Sequence, residues 1–131
     1  GWGLQSRNQL GRMPLRSTVS VLEDKKLMKI YVAGPMRGQP NSNKEAFYKA
    51  ARRLEACGMY EVYNPARWDD EQGITEDDLE DTNVLREIVS TDIHMLLCCE
   101  GIYMLRGWEH SVGARAEHSL AQFMRLHIQY E

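Results

Sequence analysis

From residue 28 onward, short apolar runs alternate with amphipathic stretches, and this alternation limits the possible folds more than any other feature. Lys29-Ile30-Tyr31-Val32-Ala33 reads as a buried strand, ended by the loop Gly34-Pro35-Met36-Arg37-Gly38-Gln39-Pro40, whose Gly and Pro cannot continue it. Ser42-x-x-Glu45 has the form of a capping box, and Phe47, Ala50, Ala51 and Leu54 then repeat on one helical face as far as Gly58. A second strand over Tyr60 to Tyr63 stops at Asn64-Pro65, and an acidic loop is expected from about Ala66 to Glu80. Asp81 or Thr82 can cap a second helix running to about Leu97. Gly101 to Leu105 is the third strand, Ser111 can cap a third helix to about Leu126, and His127 to Tyr130 can form a last short strand. Such alternation implies an α/β domain with a parallel sheet of four to five strands between helical layers, a flavodoxin-like or Rossmann-like three-layer sandwich. Ligands of these sheets bind outside the carboxyl ends of the strands, which directs attention to the loops after Ala33, Tyr63 and Leu105.

At 131 residues the chain suits one domain, expected over 28–131, with residues 1–27 an N-terminal extension that shows no sustained period. Met28 opens the first strand and is a candidate natural initiator. No apolar run approaches the ~18 residues that span a membrane. The net charge is −3 and no dense Lys/Arg block occurs, so duplex nucleic acid is not an expected partner, whereas a mononucleotide needs only a cation or two and some backbone donors. Cys57, Cys98 and Cys99 are odd in number and lack C-x-x-C spacing, which favours a reducing, cytoplasmic setting. No metal or other cofactor is expected. His94, His110, His118 and His127 form no H-E-x-x-H pattern. In the acidic segment, Trp68 stands five positions before Gly73 where an EF-hand loop requires Asp.

Two carboxylates interrupt apolar helix faces. Leu85, Ile88, Val89, Asp92 and Leu96 share a stripe, so Asp92 is directed toward the protein, where it is either satisfied by a partner or faces a cleft. The cleft is the favoured alternative. Gly113, Ala116, Glu117, Leu120 and Met124 likewise share a face, which sets Glu117 at its inner edge. Six residues separate Ser111 from Glu117, a rise of roughly 9 Å, about the scale of a sugar phosphate. Ser111 is a helix cap in its own right, and with the amides of Val112, Gly113 and Ala114 it can also hold an anion. In the first loop, Gly34 and Gly38 permit backbone approach to a phosphate and Arg37 can form charge-assisted bonds, although taken on its own the loop reads first as a plain turn. The Tyr31 phenol can point into the same mouth or into a helix interface.

Tyr31-Val-Ala-Gly-Pro-Met-Arg-Gly38, Asp92 in a helix and Ser111-Val-Gly-Ala-Arg-Ala-Glu117 occur in an order that resembles the nucleoside 2-deoxyribosyltransferase-like superfamily. That superfamily includes nucleoside 5′-monophosphate N-glycosidases and small phage-type members. The resemblance covers about residues 28 to 130 and implies a flavodoxin-like sheet. It also implies Glu117 as nucleophile or charge-stabilising carboxylate at C1′, Tyr31 hydrogen-bonded to it, and Asp92 holding sugar hydroxyls or positioning the reacting groups. Ser111 stands where the monophosphate-specific branch carries a phosphate-binding serine, and Arg37 would add a cation. The implied function is cleavage of the N-glycosidic bond of a (deoxy)nucleoside 5′-monophosphate, with base transfer or nucleotide sensing as alternatives, in a homodimer. Asn64, Trp68, Glu109 and His110 are loop candidates for contact with the base. The outline L-x-G-x-x-x-x-x-G-x-x-x-E from Leu105 to Glu117 is faintly similar to cytokinin-activating phosphoribohydrolases, which cleave the same kind of bond.

Overall fold

The computed structural model describes residues 26–131, so the expectations for the extension lie outside the described residues. Its sheet contains β1 (Met28–Ala33), β2 (Tyr60–Tyr63), β3 (Gly101–Met104) and β4 (His127–Tyr130). The strands are all parallel in the order β2-β1-β3-β4, the order of the first four strands of a flavodoxin-like sheet. The helices are α1 (Lys44–Ala56), α2 (Pro65–Gln72), α3 (Thr82–Leu97) and α4 (Val112–Phe123).

Side chains alternate across the central strands and build a core on each face. Ile30, Val32, Tyr103 and Leu105 pack with Phe47, Ala50 and Leu54 of α1 and Ala66 of α2. Tyr31, Ala33, Ile102 and Met104 pack with Leu96 of α3 and with Ala114 and Ala121 of α4. The chain steps from β1 one way to β2, then crosses back over β1 to reach β3 and β4. Right-handed crossovers therefore place α1 on one face and α3 and α4 on the other. The reversal falls between β1 and β3, whose carboxyl ends diverge into the two loops flanking the cleft described below. Gly34 is required at that point, because a Cβ there would lie 2.7 Å from the Leu105 Cβ.

Three local expectations are corrected. The segment after Asn64 is not a continuous acidic loop. It forms α2 and, after a turn, a 3-10 helix over Asp77–Glu80. The Asn64 side chain caps α2 by accepting from the Ala66 and Arg67 amides, Pro65 fits the first helical turn, and Gly73 closes the helix at φ 68°. The capping box at Ser42 is not formed. Asn41, Ser42 and Asn43 all take left-handed backbone, and α1 begins at Lys44 with no side-chain cap bond. Finally, α4 ends at Phe123 rather than near Leu126. Arg125 turns to φ 59°, and the Arg125 and Leu126 amides donate to the Gln122 and Ala121 carbonyls, the paired bonds of a Schellman stop.

Candidate active site

Parallel register places Tyr31 of β1 beside Tyr63 of β2, with the rings stacked at a centroid distance of 5.4 Å and an interplanar angle of 16°. Each phenol then faces a carboxylate from the helical layer above. The Tyr31 hydroxyl, buried with its ring, donates to Glu117 Oε2 on α4 at 2.5 Å. The Tyr63 hydroxyl donates to Asp92 Oδ1 on α3 at 3.5 Å, the long limit of such a bond. Two adjacent strands thus present one tyrosine each to one acid each.

Among the described residues, the hydrogen bonds to these two acids come from the tyrosines and not from a cation. Burial pushes the Glu117 carboxyl up to about 7, against the Tyr31 bond, which favours the anion. Burial, then the charge of Glu117 and then that of Asp69, push Asp92 up to about 8. Both phenols are raised, first by burial and then by the facing carboxylates. The charge of Glu117 thus adds to burial in holding a proton on Asp92, so near neutral pH the cleft favours a protonated Asp92 over two full charges.

The acids line a cleft of about 610 Å³, within the size range of small-molecule sites. Ser111, at its rim, caps α4 by accepting from the Ala114 amide at 3.2 Å. Ile88, Val89 and Ile93 of α3 and Leu79 form an apolar wall. Among the described residues, no group of three or more His, Cys, Asp or Glu is placed to hold a metal ion, and no helix is long and apolar enough to cross a membrane.

A family profile described as a domain of unknown function, DUF4406, matches residues 28–130. The chain belongs to this family. No curated protein and no solved structure matches it.

Within the DUF4406 domain, Tyr31, Gly34, Arg37, Asp92, Ser111, Gly113 and Glu117 are brought together around the one cleft, and His110 joins them. Gly38, at φ 77°, lines a neighbouring hollow of about 550 Å³ that shares Arg37 with the cleft. Asn64, Trp68 and Glu109 are not among the residues that line the cleft. Asn64 is buried with its side-chain oxygen engaged in capping α2, Trp68 is half-buried on that helix, and Glu109 is exposed on the turn Trp108–His110. Sequence reasoning missed Tyr63 and Asp69. Asp69 was legible in principle, because Asn64-Pro65 is a helix start as well as a strand stop and puts Pro65, Ala66 and Asp69 on the inner side. Tyr63 becomes meaningful only once β2 is paired in register with β1.

Proposed function

We propose that this domain cleaves the N-glycosidic bond of a nucleotide, a (deoxy)nucleoside 5′-monophosphate, with Glu117 as the carboxylate at the anomeric carbon. The observation that carries the proposal is the 2.5 Å hydrogen bond from Tyr31 to Glu117 inside the cleft. It fixes the orientation of one carboxylate oxygen, favours the ionised form and leaves the other oxygen for a reacting centre.

Departure of the base leaves positive charge spread over C1′ and the ring oxygen of the sugar. A fixed anion in a site poor in water stabilises that charge or captures it covalently. The C1′–N bond breaks with its electron pair on the base nitrogen, which must take a proton or a strong hydrogen bond. Asp92, raised to about 8, holds a proton at neutral pH and is placed beside Glu117 to provide it. Water then adds its oxygen to C1′ and gives a proton back to the Asp92 carboxylate, or a second base attacks C1′, loses its proton to the same carboxylate, and the reaction becomes transfer. The phosphate is assigned to Ser111, the free amides of the α4 N-terminus and Arg37, all on the rim of the same cleft.

Incubation with ribo- and deoxyribonucleoside monophosphates and with free nucleosides, followed by chromatography of released base, tests this directly. Release from monophosphates in preference to nucleosides is expected. Exchange of bases without net hydrolysis would assign transfer instead, and binding without any turnover would reject catalysis.

A further inference from the structure

Asp69 lines the same cleft but takes no part in the chemistry above. It is 9% exposed on α2, and its Oδ1 is buried without a hydrogen-bond partner. Lys44 and the Tyr48 hydroxyl both donate to its neighbour Asp70 instead. A buried acceptor left in this state is costly and calls for a partner supplied from elsewhere. The χ2 torsion of an aspartate is soft, so this carboxylate can turn to meet a ligand in the cleft it lines without moving the backbone.

The strand register orders the acids across the cleft. Tyr31 on β1 meets Glu117, its neighbour Tyr63 on β2 meets Asp92, and α2, which carries Asp69, follows β2 directly. Asp69 therefore belongs to the β2 side of the cleft and Glu117 to the β1 side. With the phosphate at Ser111 and C1′ at Glu117, the base extends to the Asp69 end. Met36 and Phe47, which also line the cleft, pack in the same apolar cluster as Ala66 of α2, so this end offers apolar walls around one carboxylate.

We propose that Asp69 is the specificity-determining residue of the cleft, accepting hydrogen bonds from a base that presents a ring N–H beside an exocyclic amino group, the 2-amino-6-oxopurine edge of guanine. The inference rests on the nucleotide reading and adds to it which base is taken. An ionised carboxylate only accepts, and guanine sets two donors side by side. Uracil and thymine place one N–H between two carbonyl oxygens, which the carboxylate repels. Adenine and cytosine set an amino group beside a ring acceptor, so one carboxylate oxygen would meet a lone pair.

The test compares kcat/KM for GMP, AMP, CMP and UMP, with calorimetric binding of the same four to the Glu117→Gln protein. GMP is expected to lead by tenfold or more in both. Asp69→Asn, whose amide offers one donor and one acceptor, should lose that lead and shift preference toward AMP, and Asp69→Ala should flatten it if the amide variant does not fold. Equal use of the four nucleotides by the wild-type protein would overturn the assignment while leaving the glycosidase reading intact. A preference for GMP that survives both substitutions would do the same. Failure of all four and of their 2′-deoxy counterparts to bind or react would defeat the nucleotide reading and this assignment with it.

Discussion

α1 and α3 both carry apolar residues at helical spacing, yet they use it differently. α1 buries Phe47, Ala50, Ala51 and Leu54 within 13 residues, whereas α3 buries only Ile88 and Leu96 within 16. The remainder of the α3 stripe holds Asp92 and borders the cleft, and Val89 stays 48% exposed. One helix converts periodicity into packing, and the other leaves a gap beside the sheet and furnishes it with an acid. An amphipathic pattern therefore names the face a helix turns inward but not whether that face meets side chains or a ligand.

The contrast is broken most directly by truncation. Leu54→Ala should cost about 2–5 kcal/mol, because it empties a filled site in the α1 core. Val89→Ala should stay within about 0.5 kcal/mol. Urea unfolding measures both, and a large loss at Val89 would mean that α3 is packed after all.

Glu117→Gln should reduce turnover by about 10²-fold or more, some 2.7 kcal/mol of transition-state stabilisation, while nucleotide binding persists. The amide is nearly isosteric, so the fold should be unaffected. Near-wild-type turnover in a folded variant would reject the mechanism.

Titration sharpens the contrast further. Asp92 and Glu117 have folded-state pKa values near 8 and 7, both above the unfolded range. The folded protein therefore holds the extra protons between about pH 4 and 8. Their contribution is fully present below the unfolded pKa and is lost as pH rises through the folded values. The melting temperature should fall steadily between pH 5 and pH 8.5. Asp92→Asn should flatten the profile and raise the melting temperature at the alkaline end, whereas a melting temperature that rises with pH would contradict the buried acids.

The smallest effect is expected at the entrance to α1. Ser42 at φ 53° lies in the left-handed region, so Ser42→Gly should stabilise by about 1 kcal/mol. If Ser42→Gly destabilises instead, Ser42 is acting as the cap its sequence suggests.

Much of the candidate site was legible because helical spacing alone directs Asp92 and Glu117 inward, and because the Ser111 cap is a local hydrogen bond. Segments were misassigned where one local signal had two meanings. Asn64-Pro65 both stops β2 and starts α2, and Ser42-x-x-Glu45 fits a cap that the left-handed turn at Asn41 to Asn43 displaces.

The sequence by itself determined the alternation of strands and helices, the inward faces and the Asp81 and Ser111 caps, since these depend on neighbours within a few positions along the chain. Only the tertiary structure decided that Tyr31 reaches Glu117 across 86 positions and Tyr63 reaches Asp92 across 29. It also decided that Asp69, Asp92 and Glu117 share one cleft. Those meetings depend on strand order and register, and with side chains alternating along a strand, a one-residue slip of β1 against β2 would turn one tyrosine away from its acid.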